Sequence, residues 1–264
     1  MNTFLNLPNR AQKPRSQGMT VLIDNGYPLG FFKDVLSSHK QFIDTVKVGW
    51  GTAYIDSNLA EKIKYSQSLG INVFMGGTFF EKAALQNKLD SFIAFLKDHG
   101  IKHMEISNGT INLTNTEKAH YIKKYSTEFE ILSEVGFKDS ERSQELHPAK
   151  WIEYIQEDFD AGSTWVITEA RESGTSGICR SDGEIRFGLI NEIASSGINL
   201  DKMIYEAPNK RMQEYFITHF GANVNLANIA FTDVTSLETL RVGLRGDTLM
   251  LFEASDKVEA ENML

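Results

Sequence analysis

The stretch TWVITEARESGTSGIC, residues 164 to 179, joins an apolar run, Trp165-Val166-Ile167, to three charged side chains, Glu169, Arg171 and Glu172, and then to a glycine-rich loop. The run has the form of a buried strand, and its charged end is either a solvated terminus or the rim of a site. The same arrangement recurs along the chain, and that recurrence decides the fold. Short apolar, β-branched runs lie at Thr20 to Ile23, Phe42 to Val48, Ile71 to Met75, His103 to Ile106, Glu130 to Val135, Trp165 to Thr168, Met203 to Tyr205 and Asn223 to Ile229. Each precedes a glycine or polar cluster and then a longer amphipathic stretch, the sequence form of a βα unit.

The intervening stretches follow the 3.6-residue period of helices. Leu59, Ile63 and Ser66 share one face, and Leu89, Phe92, Ile93 and Leu96 share another. Ala119, Ile122 and Tyr125 group before the fifth run, and Tyr215, Phe216 and His219 before the eighth. A last helix is expected over Ser236 to Leu244, with Leu237, Leu240 and Leu244 aligned. Eight alternations in 264 residues predict an α/β fold, a (β/α)8 TIM barrel forming a single domain, in preference to an open Rossmann sheet. No GxGxxG follows the first run and no GxxxxGK[ST] occurs, so the usual nucleotide fingerprints are absent. The expected boundaries are an N-terminal extension over residues 1–12, the catalytic barrel over 13–252 and a charged C-terminal tail over 253–264.

A net charge of -8 argues against a phosphate-backbone binder, which needs clustered Lys and Arg, so nucleic acid is not an expected partner. The single cysteine, Cys179, cannot form an internal disulfide, and its lack of a visible base partner makes it incidental rather than nucleophilic. The opening MNTFLNLPNRAQKPR has no signal-type apolar core, and no stretch has the length of apolar sequence a membrane helix needs. No membrane association and a cytoplasmic location are expected, with a homo-oligomer left open.

In a barrel all eight strand ends face one rim, where catalytic groups gather. Here four of those ends carry a glutamate, Glu105, Glu134, Glu169 and Glu206. One such residue alone reads as a solvated end or a helix cap. Four on one rim repel one another unless cations or protons separate them, which points to a Mg2+ site or an acid/base pair. Magnesium is favoured over zinc because no HExxH motif or spaced Cys/His set exists. Lys47, Lys138 and Arg171 stand beside glycine-rich ends, with Lys13, Arg15, Arg241 and Arg245 towards the two chain ends, a pattern that suits an anion pocket. The glycines of GWGT and GGT are read equally as tight turns or as ligand contacts. The Gly-Thr-Ser-Gly loop after Glu172 is expected to form a flexible lid. Glu141 to Glu145 reads as a solvated loop or helix start.

At these residues the chain resembles the phosphosulfolactate synthase family. The matching stretches are KPR at Lys13 to Arg15, VKVGWGT at Val46 to Thr52, GGT at Gly76 to Thr78, EISNG at Glu105 to Gly109, SEVGFKD at Ser133 to Asp139, EARESG at Glu169 to Gly174, YEAP at Tyr205 to Pro208, NVNLANI and LETLRVGLRGDT. The chain departs from the family pattern at Asn108, where the family tends to carry Asp, and at Phe137, where it tends to carry a basic residue. The resemblance implies a barrel lyase that uses Mg2+ to add sulfite to phosphoenolpyruvate, giving (2R)-phospho-3-sulfolactate for coenzyme M or sulfolactate biosynthesis. It also implies roles. Lys138 would be the acid that protonates carbon, with Lys47 beside it in the catalytic set. Glu105, Glu134 and Glu169 would hold the metal directly or through water. Lys13, Arg15, Arg171, Ser173 and Arg245 would bind substrate, with Glu206 and Asn225 in support. Two rival readings stay open: a Schiff-base barrel aldolase using Lys47 or Lys138, and a non-catalytic member akin to plant heat-stress-associated proteins.

Overall fold

Every strand in this computed structural model, which describes residues 4–253, runs in the same direction around one ring. The strands are β1 (Thr20–Asp24), β2 (Thr45–Val48), β3 (Asn72–Met75), β4 (His103–Ile106), β5 (Glu130–Val135), β6 (Trp165–Thr168), β7 (Met203–Glu206) and β8 (Leu226–Ile229). Their order is β3-β2-β1-β8-β7-β6-β5-β4, all pairs parallel. Strands β3 and β4 pack side by side to bring the ends of this sheet together, so the sheet forms a nearly closed (β/α)8 barrel. At the mouth, Glu105 Oε1 crosses the gap to accept the Gly77 N–H at 2.6 Å.

The two-residue period of a strand sets what faces inward. Val21, Phe74, Leu132, Ile167, Ile204 and Ala227 form an apolar layer inside the barrel with Met19. Two residues further along their strands, Ile23, Gly76, Glu134, Glu169 and Glu206 line the C-terminal mouth. The inward residues nearer the strand starts, Thr45, Asn72, His103, Glu130 and Trp165, line a hollow at the opposite end. The charged strand ends of the sequence are therefore the next inward step above a packed plug.

The helices are α1 (Leu29–His39), α2 (Leu59–Ser68), α3 (Gly77–Leu85), α4 (Leu89–Asp98), α5 (Asn115–Tyr125), α6 (Ser140–Glu145), α7 (Pro148–Asp160), α8 (Phe187–Ser195), α9 (Lys210–Phe220) and α10 (Val234–Arg241). They cover the barrel with apolar faces such as Phe92, Ile93 and Leu96 of α4 and Leu237 and Leu240 of α10. Each such buried side chain contributes about 1.5–3 kcal/mol.

Several element boundaries differ from the sequence reading. The second strand starts at Thr45 rather than Phe42, because the Phe42 N–H closes a turn onto His39 O at 2.8 Å. The eighth starts at Leu226 rather than Asn223, and α10 spans Val234–Arg241 rather than Ser236 to Leu244. Glu141 to Glu145 lies in α6. The expected N-terminal extension is tied to the barrel base: Arg10 is buried, pairs with Glu238 at 2.9 Å and donates to Ala222 O and Gly18 O. Of the charged tail, residues 254–264 lie outside the described residues. Among the described residues no helix is long and apolar enough to cross a membrane.

Candidate active site

The mouth holds a cavity of about 180 Å3 whose floor is a continuous network of two lysines and four glutamates. Lys47 Nζ lies 3.0 Å from Glu105 Oε2, 3.2 Å from Glu206 Oε1 and 3.5 Å from Glu134 Oε2. Lys138 Nζ lies 3.0 Å from Glu134 Oε1 and 3.2 Å from Glu169 Oε2. Glu134 thus bridges both ammonium groups. The remaining carboxylate oxygens are fixed by the backbone: the Arg171 N–H donates to Glu169 Oε1 at 2.6 Å and the Ala170 N–H to Glu206 Oε2 at 2.8 Å.

Burial and charge divide these acids. Burial pushes Glu105 up to about 7, against the pull of Lys47 and with the push of Glu134. Burial also raises Glu169 well above the usual carboxylate range, and the neighbouring Glu134 charge adds to it. Glu134 is buried too, yet Lys138 and Lys47 outweigh that burial and hold it below the usual range. Burial and charge therefore displace Glu169 and Glu134 in opposite directions. Burial opposes the charge on both lysines, but the surrounding glutamates raise them above the ordinary lysine value, so both are ammonium groups.

Lys138 comes from the loop after β5, and its environment is built by a residue that strand-end reasoning missed. Glu81, buried on α3, accepts hydrogen bonds from Ser107 Oγ and from the N–H groups of Gly109 at 3.0 Å, Thr110 at 2.9 Å and Ile111 at 3.1 Å. This fixes the β4 loop, whose Gly109 carbonyl accepts the Lys138 N–H at 3.1 Å and whose Thr110 lines the cavity. The available signal was a glutamate four residues into a helix that begins at GGT. Gly77 itself is required by close approach, since a Cβ there would lie 2.7 Å from Glu105 Oε1 and 2.3 Å from Ser107 Oγ.

Arg171 and Glu172 line the rim, and one Arg171 guanidinium N–H donates to Lys138 O at 3.3 Å. Among the described residues, three of the four non-glycine residues with positive φ, Trp50, Arg171 and Asn228, line this cavity, so backbone strain is concentrated there.

Other expected site residues are elsewhere. Lys13 and Arg15 precede β1 and so lie at the barrel's N-terminal end, where they line the opposite hollow. Lys13 Nζ donates to Lys40 O and Ile43 O, and Arg15 clamps Asp44 at 2.9 Å. Asn225 also precedes its strand; it accepts the Met19 N–H at 2.9 Å and donates to Asp201 O and Met203 O. Arg245 lies beyond α10 beside Asp247 at 3.9 Å, away from the cavity lining. Ser173 is exposed and bonds Thr175 rather than facing the cavity. The Gly-Thr-Ser-Gly segment is pinned instead of lid-like: Ser176 Oγ donates to Phe137 O at 2.6 Å, and the Ile178 N–H to Glu169 O at 2.8 Å. Cys179 is buried against Met212, with its thiol pushed up to about 11 by burial.

Among the described residues no three acidic, imidazole or thiol side chains form a closed metal cage. The donor set still fits a hard cation of the kind held by one or two carboxylates and completed by substrate and water. Glu105 Oε2 and Glu169 Oε2 are buried and accept no well-aligned hydrogen bond, although ammonium nitrogens lie 3.0 and 3.2 Å away.

A parallel barrel with a buried Lys–Glu network at its C-terminal mouth defines a TIM-barrel enzyme. Comparison with known proteins narrows that class. The family model for (2R)-phospho-3-sulfolactate synthase matches residues 8–247. A phosphosulfolactate synthase of Bacillus subtilis (strain 168) is 52% identical over 252 residues, covering 95% of this chain and 100% of that one. Another, of Methanothermobacter thermautotrophicus, is 39% identical over 94% of this chain and 98% of its own. The chain belongs to the (2R)-phospho-3-sulfolactate synthase family, and is an enzyme of the lyase type that forms a C–S bond. A crystal structure of 3-hexulose-6-phosphate synthase aligns at TM-score 0.53 over 84% of this chain and 98% of that chain, with 14% identity, a likeness of fold alone.

Proposed function

We propose that this protein catalyses the Mg2+-dependent addition of sulfite to phosphoenolpyruvate, giving (2R)-phospho-3-sulfolactate. The observation that carries this reading is Lys138, a charged ammonium held by Glu134 and Glu169 with its side chain 23% exposed beside the cavity. The sulfite sulfur lone pair forms the C–S bond at the methylene carbon, and the C=C electron pair moves towards the substrate carboxylate as an enediolate. Lys138 Nζ then gives its proton to the adjacent carbon from one face, which sets the configuration there. The Lys138 proton is then restored from the cavity, beside which its side chain is 23% exposed.

Four glutamates against two lysines leave a negative surplus that repels two anionic substrates, which supports the Mg2+ requirement. Glu105 and Glu169 would hold the ion, with Glu134 tied to the lysines. The chemistry such an ion supplies when bound is stabilisation of the negative charge developing on the substrate carboxylate. The aldolase alternative needs an uncharged lysine nucleophile, whereas the glutamates keep Lys47 and Lys138 protonated. A cytoplasmic setting fits a chain with one cysteine and hence no internal disulfide.

The test is incubation of the purified protein with phosphoenolpyruvate, sulfite and Mg2+, with mass spectrometry of the product. The expected result is a sulfonated phospholactate that disappears when sulfite or Mg2+ is left out. Absence of that product with every divalent ion tried would overturn the reading.

A further inference from the structure

Strand β8 breaks the alternation that builds the rest of the barrel. Leu226 faces the helix layer and Ala227 the interior, yet Ile229 faces the helix layer again. Regular pleating would turn Asn228 outward and Ile229 inward. The register on β1 shows why: Thr20 pairs with Leu226 and Leu22 with Ile229, so β8 places one extra residue in this interval. This is a β-bulge, and the extra residue is Asn228, at a left-handed φ of 57°. The bulge brings Asn228 to the cavity lining.

The side chain brought there has nothing to bond. Asn228 is 5% exposed; its Oδ1 is buried with no hydrogen-bond partner among the described residues, and its Nδ2, which donates to none of them either, is the amide atom left accessible at the cavity. An unpaired buried amide and a strained backbone together are unfavourable, which suits a group that finds its partner in a ligand.

Its position says which kind of ligand group. The four glutamates all end β4 to β7, on one side of the mouth. On the other side, β8, β1, β2 and β3 contribute Asn228, Ile23, Trp50 and the Gly76-Gly77-Thr78 turn, with no carboxylate among these cavity-lining residues. Lys47 rises from β2 but is turned onto Glu105, Glu134 and Glu206. An anionic group other than the carboxylate held at the cation is directed away from the glutamates, towards the wall where Asn228 is the buried polar side chain.

We infer that Asn228 is a substrate-binding residue whose amide N–H donates to an oxyanion of the substrate, either a sulfite oxygen or an oxygen of phosphoenolpyruvate. The inference rests on the sulfite-addition reading for the names of those anions. Two variants separate binding from folding. Asn228→Gly removes the amide and relaxes the positive φ. Asn228→Asp keeps the shape and places a carboxylate against the anion.

Calorimetry with phosphoenolpyruvate, with sulfite and with inorganic phosphate, run beside steady-state kinetics and thermal unfolding, reads the outcome. Asn228→Gly is expected to unfold no earlier than wild type. Its KM and Kd for one of the two substrates should rise about 10- to 100-fold, the loss expected for one hydrogen bond to a charged group. The substrate that moves identifies the oxyanion, and Asn228→Asp should weaken the same one further. If Asn228→Gly binds all three ligands and turns over within about threefold of wild type, a change too small for a lost charged hydrogen bond, the inference is overturned. Wild-type protein without turnover would instead count against the sulfite-addition reading, and the calorimetric arm with phosphate would still decide the role of Asn228.

Discussion

Replacing Lys138 by methionine separates the lysine's chemistry from its part in the charge balance. The ammonium stands 3.0 Å from Glu134 and 3.2 Å from Glu169. At an effective dielectric near 20 each contact is a gross attraction of about 5 kcal/mol, most of it offset by desolvation. Removing one partner of such a buried pair costs about 3–5 kcal/mol, and the partial exposure of Lys138 favours the lower end. Glu169 softens the loss, because its folded pKa is already raised and it can take up a proton when the ammonium is gone. A carboxyl raised on folding contributes stability that is full below its unfolded pKa and is lost as pH rises through the folded one. The deficit of Lys138→Met in urea unfolding should therefore be about 3 kcal/mol near pH 8 and clearly smaller near pH 6. Turnover, followed as sulfonated product by mass spectrometry, should fall about 100- to 10,000-fold at both pH values, since methionine carries no proton. A folded Lys138→Met that turns over within about tenfold of wild type would refute the acid assignment. A deficit larger at pH 6 than at pH 8 would refute the charge argument.

Glu105 is raised to about 7, so wild-type stability should fall between pH 4.5 and 7 by about 3 kcal/mol from this group, and Glu105→Gln should flatten that part of the curve in urea titrations. Glu81→Gln turns part of a four-bond acceptor into a donor facing backbone N–H groups; about 1–3 kcal/mol of stability should be lost per orphaned group, with kcat falling more than KM changes because the β4 loop that packs on Lys138 loosens. Lys62→Met leaves Asp24 and Asp56, now at 2.7 and 2.8 Å from the ammonium, without their cation, and the urea midpoint should report a loss of about 3–5 kcal/mol.

The glutamate network was legible in the sequence because strands repeat every two residues: an apolar inward position at Leu132, Ile167 or Ile204 places Glu134, Glu169 or Glu206 on the same side one step higher. Lys13, Arg15 and Asn225 went astray for a reason the same logic contains. They precede their strands, and residues before a parallel strand sit at the end opposite its mouth, whatever their charge. Glu81 was hidden because its partners are backbone N–H groups of a loop some 30 residues away, which no periodicity marks. Asn228 was hidden because its position depends on a bulge, visible only once β8 is set beside β1.

The two lysines at the floor share a chemistry and a sign of pKa displacement, but not a geometry, and geometry divides their work under the proposed reaction. Lys47 is met by three carboxylates, and its side chain is 7% exposed, so a proton leaving it would strand Glu105, Glu134 and Glu206 together around a neutral amine. Lys138 shares Glu134 with it but faces Glu169 on the other side, and its own side chain is 23% exposed beside the cavity. When Lys138 gives up its proton, among the described residues only Glu134 and Glu169 face the amine, and the cavity beside it admits the proton that restores it. Lys47 is then the fixed counter-charge that keeps Glu134 ionised, and Glu134 in turn holds the Lys138 ammonium towards the cavity. The acid and its anchor are the same residue type, told apart by how many carboxylates close around each and by which one opens onto the cavity.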